Sequence, residues 1–346
     1  MIFSTNGTRT RALGIATAAL VAAALAAGPA AAESKEVRLS LQYGLNFFPV
    51  LVVKEMKLIE KHAKKLGLDD VKVTSHQFGG GAAANDAILS GQIDFNATGI
   101  GPLITMWDKT HGSLNVKAAL PIAATPTTLV TNDPAVRALK DYKSAQEHKI
   151  ALPAIKVSIQ ARFLQIATAQ AFGIDQATSL DTLTVSMKNP DAFVSLKRGS
   201  TAVKSHFAVE PYTSMDLAQK GARTVTTSFD IMGGKHTLTL LWTTERFRKN
   251  NPTLYKAVIE AFKEAMDWMS GHPKEVADLF VRLTRSSLKP KEVEAILTDK
   301  NKMDYTYVPM KTLEVAQWMH RLGAIKREPK QWQELFWDNA HALKGS

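Results

Sequence analysis

Short apolar segments alternate with amphipathic segments along the first half of the chain. Four of them favour β-strands, and the first three are each followed by residues with helical periodicity; they are Val37–Gln42, Val71–His76, Ile93–Ala97 and Leu114–Leu120. Alternation of this kind is typical of a parallel sheet with helices on both faces. The pattern therefore predicts an α/β fold.

A second run of strands and helices begins after Pro121–Pro126. Thr127–Thr131 predicts a strand that leaves the first lobe, and Thr237–Trp242 predicts a strand that returns to it. From Thr244 onward the pattern is mostly helical. We expect two α/β lobes around a cleft, followed by a helical C-terminal region. The predicted lobe bounds are 33–125 with 240–346 for lobe I, and 126–239 for lobe II.

Residues 1–32 have the order of a secretory signal peptide rather than of a membrane anchor. Arg9 and Arg11 precede an apolar run from Ala12 to Ala27, and Ala30-Ala31-Ala32 supplies the small residues of a cleavage site. The run is shorter than the roughly 20 residues that a membrane-spanning helix needs. We expect cleavage before Glu33 and export to a periplasm, without a lipid anchor because no cysteine follows the run.

The composition is that of an ordinary globular protein, with 45% apolar and 22% charged residues in 346. The sequence contains no cysteine, which excludes thiolate nucleophiles, cysteine-ligated zinc and iron–sulfur clusters. The formal charge of +11 falls to +9 without the two arginines of the leader. Because the basic residues are scattered rather than striped, we expect no nucleic-acid partner.

Sequence motifs of common enzymes are missing. None of the nine histidines stands within five residues of another, and the sequence has no GxSxG or GxxxxGK[ST] motif. The segment Gly79–Ala84 fits GxGxxA, but it follows the second strand, and Asp94 comes too early for a ribose contact. We expect a binding protein with no catalytic residue, metal or cofactor, and interpret the glycines as a tight turn at a ligand cleft.

Five loops follow predicted strands at their carboxyl ends, where open parallel sheets bind ligands. They are Tyr43–Phe48, Gly79–Gly81, Thr98–Gly101, Pro153–Ser158 and His206–Pro211. Aromatic side chains supply apolar walls, glycines let backbone N–H groups approach a ligand, and hydroxyls at helix starts suit an anion. Core packing, turn geometry or helix capping explains each feature alone. Their recurrence across five loops predicts a binding cleft.

Three segments in this order resemble the nitrate/sulfonate/taurine-type substrate-binding proteins of ABC importers. They are Gly79–Gly81, GQIDFNATGIGP at Gly91–Pro102, and HFAVEPY at His206–Tyr212. The resemblance covers nearly all of the chain after the leader. It implies a type II periplasmic-binding-protein fold, two crossings between the lobes, and a ligand held by hinge closure.

The loops and the resemblance together give the expected ligand-binding residues. These are Tyr43, Asn46, Phe47, Gly79, Gly80, Thr98, Gly99, Ser158 and Glu210. Glu210 is expected either to receive a ligand amine, as taurine would offer, or to brace its own loop. The sequence does not place an arginine in the pocket, and the aromatic first loop argues against a ligand as small and polar as nitrate.

We therefore expect the periplasmic solute-binding component of an ABC importer, which captures a small organic anion of the sulfonate or taurine type. The alternatives are a binding protein for a thiamine pyrimidine precursor or an aromatic carboxylate, an exported enzyme that uses the same cleft, and a sensor that presents its ligand-bound form to a receptor. The expected partners are the small solute and the ABC permease and ATPase at the inner membrane, and the expected oligomeric state is a monomer.

Overall fold

The computed structural model describes Met1 and residues 32–199 and 202–346. The predicted leader, residues 1–32, therefore lies almost wholly outside the described residues. The strands and helices of the described residues belong to one compact unit, Ser34–Ser346.

The described residues form ten strands. They are β1 Glu36–Leu41, β2 Lys72–Gln77, β3 Asn96–Gly99, β4 Lys117–Ala123, β5 Thr128–Thr131, β6 Lys149–Leu152, β7 Thr184–Ser186, β8 Val203–Ala208, β9 Arg223–Thr227 and β10 Thr239–Thr243.

The same residues form thirteen α-helices. They are α1 Phe48–Glu55, α2 Leu58–Lys65, α3 Gly81–Leu89, α4 Ile100–Lys109, α5 Ile159–Phe172, α6 Asn189–Arg198, α7 Tyr212–Leu217, α8 Ser228–Ile231, α9 Glu245–Asn250, α10 Pro252–Gly271, α11 Pro273–Thr284, α12 Pro290–Thr298 and α13 Thr312–Arg321. None of these helices is both long and apolar enough to span a bilayer.

The first group of strands consists of a parallel two-stranded sheet, β1-β2, and a three-stranded sheet, β3-β10-β4. β1 and β2 pair in parallel, and a bridge between Leu39 and Phe95 joins β1 to the residue before β3. β10 lies between β3 and β4 and runs antiparallel to both. The expectation of a purely parallel sheet is therefore wrong at the returning strand, because the chain re-enters this group from the opposite end.

The second sheet has five strands in the order β7-β6-β8-β5-β9. β6 is parallel to both of its neighbours, whereas β5 is antiparallel to β8 and β9. The antiparallel strand is again one that crosses between the sheets. The predicted strand Thr127–Thr131 is present as β5, whereas β9 was not predicted, because its alternating threonines are only partly buried.

The chain passes between the two groups of strands twice, from β4 to β5 and from β9 to β10. Two buried side chains tie the passages together. Ser228 Oγ accepts a hydrogen bond from the Thr127 N–H at 2.9 Å and donates one to His236 Nε2 at 2.8 Å. His236 Nδ1–H donates to the Thr237 carbonyl at 3.0 Å. The lobe bounds given above remain a prediction.

The long helix α10 supports the first group of strands. Its buried face carries Phe262 and Met266, which belong to one hydrophobic cluster with Phe48 of α1 and Phe280 of α11. The Phe48 and Phe280 rings meet edge to face, with their centroids 5.1 Å apart. This packing places the end of α11 beside the loop that follows β1.

Candidate functional site

A small cavity lies where the carboxyl ends of strands from both sheets meet. We call it the cleft cavity, and its volume is about 20 Å³. It is lined by Gln42, Asn46, Phe47, Gly81, Gly99, Pro102, Pro153, Ser158, Ile159, Gln160, Asn189, Val209 and Leu238. A cavity of this size holds about one water molecule. None of these lining side chains is charged.

Four helices begin at the cleft cavity. Gly81 and Asn189 are the first residues of α3 and α6, and Gly99 and Ser158 are the N-caps of α4 and α5. The first N–H groups of a helix have no acceptor within it, and the helix dipole adds partial positive charge at that end. The cavity is therefore electropositive without a cationic side chain on its lining.

Close backbone approach across the cleft depends on two glycines. A Cβ at Gly80 would lie 2.7 Å from the carbonyl oxygen of Pro153, and a Cβ at Gly99 would lie 2.8 Å from Cγ2 of Ile159. No real Cβ tolerates either distance, so any other residue would push the facing segments apart. These glycines thus permit tight closure of the cleft.

The structure brings four of the predicted ligand-binding residues onto the lining of the cleft cavity, and these are Asn46, Phe47, Gly99 and Ser158. Asn46 is 1% exposed, its Nδ2 donates to Thr239 Oγ1 at 2.7 Å, and its Oδ1 accepts from no described residue. Ser158 Oγ also caps α5 by accepting from the Ala161 N–H at 3.3 Å. Gly80 is buried directly behind this lining, against Pro153.

The other predicted residues lie elsewhere. Tyr43 lines a larger groove, described below, and Gly79 is exposed, with room for a Cβ at 3.8 Å from Lys188. Thr98 Oγ1 accepts from Trp242 Nε1 at 2.9 Å within the core. The Glu210 carboxylate accepts from Ser214 Oγ at 3.0 Å and from the Ser214 N–H at 3.3 Å, which braces the start of α7. Burial raises the pKa of the Glu210 carboxyl.

Three polar residues on the lining were not predicted. Gln42 and Gln160 are both buried, and their side chains hydrogen-bond to none of the described residues. Gln160 follows the predicted helix start at Ser158, and Gln42 ends the predicted first strand, so both positions carried a usable signal. Asn189 follows β7, at a carboxyl end that the five predicted loops omitted.

Asn189 links the two sides of the cleft through a buried chain of hydrogen bonds. Its Nδ2 donates to the Tyr43 carbonyl at 3.0 Å, so its Oδ1 is the atom that lies 3.1 Å from His206 Nε2. Because an amide oxygen only accepts, His206 Nε2 must carry a proton. His206 Nδ1 lies 2.7 Å from Asp216 Oδ2, and both side chains are fully buried. One further proton is shared between these two atoms, which leaves the pair neutral overall.

A larger groove lies beside the cleft cavity, with a volume of about 630 Å³. We call it the aromatic groove. Its characteristic side chains come from three places: Tyr43 and Phe48 around the first loop, Phe193 and Tyr212 of α6 and α7, and Phe280 and Leu283 of α11. Gln42 and Phe47 line both spaces, so the groove and the cavity are adjacent. Burial raises the pKa of the Tyr212 hydroxyl to about 12, so this ring is uncharged at neutral pH.

The cleft region offers no obvious place for a metal ion. Within residues 32–199 and 202–346, no group of three or more histidine, aspartate or glutamate side chains is arranged to hold a metal. Apart from Arg285, the described lining of the two spaces consists of neutral polar groups, backbone ends of helices, and apolar and aromatic side chains. Such a lining suits an organic ligand.

Residues 30–284 match the NMT1-like family. The match covers well over half of the chain, so this protein belongs to the NMT1-like family. The resemblance found in the sequence motifs is confirmed. None of the curated proteins matches the chain significantly.

Solved structures of periplasmic binding proteins share the fold, which confirms the predicted fold class. SsuA, the alkanesulfonate-binding protein from Xanthomonas axonopodis pv. citri bound to MOPS, aligns with a TM-score of 0.68 at 16% identity, over 86% of this chain and 96% of its own. The nitrate-binding protein NrtA from Synechocystis PCC 6803 aligns with a TM-score of 0.68 at 14% identity, over 87% of this chain and 84% of its own. The Candida albicans CA3427 gene product has the generic periplasmic binding protein fold. It aligns with a TM-score of 0.62 at 11% identity, over 87% of this chain and 96% of its own.

Proposed function

We propose that this protein is the periplasmic solute-binding component of an ABC importer and that it captures a small organic anion between its two lobes. The family membership and the fold support the binding role, since SsuA and NrtA are named for the anions that they bind. On this proposal the lobes close around the anion, and the closed form docks on the membrane subunits of the importer, which works with its ATPase.

The observation that supports an anionic ligand is that four helices begin at one uncharged cavity. Backbone N–H groups at helix N-termini stabilise an anion, and the lining contains no carboxylate that would repel it. The buried amides of Gln42 and Gln160 add N–H donors without fixed partners among the described residues. The same lining offers a cation nothing but neutral acceptors.

The lining also favours a simple sulfonate over taurine. A taurine ammonium needs a nearby carboxylate, and the nearest predicted one, Glu210, is engaged with Ser214 and lies off the cavity lining. Burying an ammonium without a partner costs free energy that ethanesulfonate avoids. We expect ethanesulfonate to bind more tightly than taurine, which differs from it only by the amino group.

The test is thermal unfolding of the purified mature chain with a panel of solutes, followed by calorimetry on the hits. The panel contains ethanesulfonate, taurine, arylsulfonates, nitrate, aromatic carboxylates and pyrimidine precursors of thiamine. A solute that binds only the folded chain adds about 2.7 kcal/mol of stability at 100 times its Kd. Stabilisation by organic anions, without conversion of the anion, supports the proposal. A panel in which only uncharged or cationic solutes stabilise the chain contradicts it.

The buried His206–Asp216 pair argues against an enzyme in the same cleft. A histidine oriented by a carboxylate is the usual partner of a nucleophilic hydroxyl, which then faces the other ring nitrogen. Here the other nitrogen, Nε2, faces the Asn189 amide oxygen at 3.1 Å instead. The pair therefore positions Asn189, and we propose no catalytic role for it.

A further inference from the structure

The volumes of the two spaces place most of any organic ligand outside the cleft cavity. The cavity has room for about one water molecule, whereas the adjacent aromatic groove has a volume of about 630 Å³. Small-molecule pockets usually measure about 300 to 1,000 Å³. A compact inorganic anion would leave the groove unused, and an anion with an organic body would use both spaces.

The walls of the aromatic groove suit a flat or branched apolar body. Rings approach from three elements that are distant in sequence, with Phe48 and Phe280 held edge to face and Phe193 half-buried on α6. Aromatic side chains favour stacked or edge-on contacts with another ring. Polar side chains, among them Ser75, Gln77 and Ser286, also line the groove, so its aromatic faces lie beside hydrogen-bonding groups.

The charge of the groove also matches an anion. Among the described residues that line it, Arg285 is the only charged one. Arg285 follows α11 at the rim of the groove, where its side chain is exposed. A ligand that enters along the groove therefore meets positive potential before it reaches the four helix N-termini.

We propose that the aromatic groove is the subsite for the ligand body, and that the solute is an organic anion with an aryl or bulky alkyl group. The anionic head lies at the cleft cavity, and the body extends past Phe47 into the groove. This inference rests on the proposed function, because it takes the anion at the cavity as given. It makes Phe193, Tyr212 and the end of α11 determinants of specificity.

The experiment compares sulfonates that share the head and differ in the body. Calorimetry gives the Kd of ethanesulfonate, benzenesulfonate and naphthalene-2-sulfonate for the wild-type chain and for Phe193→Ala. The matched control is Phe172→Ala, because Phe172 is also a half-buried helical ring beside a lysine ammonium, but lies off the groove. Val194→Asp is a second variant. The Val194 side chain lines the groove and is 42% exposed, so we expect the variant to fold.

We expect wild-type affinity to rise about tenfold or more from ethanesulfonate to naphthalene-2-sulfonate. Phe193→Ala and Val194→Asp should each weaken the affinity for naphthalene-2-sulfonate about tenfold and keep the affinity for ethanesulfonate within about twofold of the wild type. Phe172→Ala should change neither affinity. Equal affinity for the three sulfonates overturns the subsite and leaves the proposed function intact, with the groove then open to another occupant such as the permease. Failure of these sulfonates and of every other organic anion in the solute panel to bind overturns the proposed function, and the subsite with it.

Discussion

The cleft cavity and the aromatic groove lie on two sides of Phe47 and differ in volume, polarity and origin. The cavity measures about 20 Å³ and is formed by helix starts and buried amides, whereas the groove measures about 630 Å³ and is walled by aromatic side chains. Backbone groups at helix ends select the sign of a charge, and apolar area contributes affinity in proportion to its size. On the proposed function, the cavity therefore selects the head of the solute and the groove selects its body.

The largest expected effect tests whether the cavity must close. Gly80→Ala introduces a Cβ at 2.7 Å from the Pro153 carbonyl oxygen, which forces the facing segments apart. We expect the affinity for naphthalene-2-sulfonate, measured by calorimetry, to fall by at least about 100-fold. The control is Gly79→Ala, the neighbouring glycine, whose added Cβ would come no closer than 3.8 Å to Lys188.

Gly79→Ala should keep its affinity within about twofold, because a distance of 3.8 Å is an ordinary van der Waals contact. Both variants should unfold near the wild-type temperature, since the strain in Gly80→Ala is relieved when the cleft opens. Equal affinity of the two variants would show that binding does not need this close approach, and the groove alone would then account for the site.

The next effect uses pH to separate the two passages between the groups of strands, which His236 and Ser228 tie together, from the groove. Burial lowers the pKa of His236 to about 4 from its ordinary 6.5, and its neutral form is fully hydrogen-bonded to Ser228 and Thr237. Between these two values the unfolded chain binds more protons than the folded chain, so stability falls as the pH drops through this window. We expect His236 to contribute a loss of about 2 kcal/mol in unfolding free energy between pH 7 and pH 5.

Chemical denaturation of the wild type and of His236→Gln at the two pH values measures this contribution. The variant cannot titrate at this position, so its stability should fall less over the same interval, and the difference between the two losses isolates His236 from the other groups. The described lining of the groove contains no histidine and no acid, so the preference for naphthalene-2-sulfonate over ethanesulfonate should not change. Parallel stability losses in the two proteins would contradict the role given to His236.

The sequence predicted the cavity better than the groove. Asn46, Phe47, Gly99 and Ser158 could be found because they follow strands, and the carboxyl ends of strands in such folds converge. Gln42 and Gln160 lay beside these positions. Thr98 follows the same rule but turns into the core towards Trp242, and a strand pattern does not reveal which way one hydroxyl points.

The groove could not be predicted because its walls meet only in three dimensions. Phe48 and Phe280 are more than 200 residues apart, and each belongs to an apolar helical stripe that predicts core packing. The same applies to the antiparallel entry of β10 between β3 and β4, which depends on how the chain returns from the second sheet. Periodicity identifies a buried face but not the element that covers it.

The smallest expected effect concerns the hydrogen bond that joins Asn189 of α6 to the loop after β1. Asn189→Ala removes the hydrogen bond to the Tyr43 carbonyl at 3.0 Å and leaves the buried His206 Nε2–H without its acceptor. A lost hydrogen bond of this kind costs about 1 kcal/mol, so we expect naphthalene-2-sulfonate to dissociate about five- to tenfold faster in stopped-flow measurements. The matched control is Asn132→Ala, which removes an equivalent amide bond, 2.9 Å from Asn132 Nδ2 to the Leu196 carbonyl, away from the cleft. Asn132→Ala should lower the unfolding temperature without changing the dissociation rate. If both variants release the sulfonate at the wild-type rate, the bond across the cleft does not hold the closed form, and closure rests on the glycine contacts and the groove.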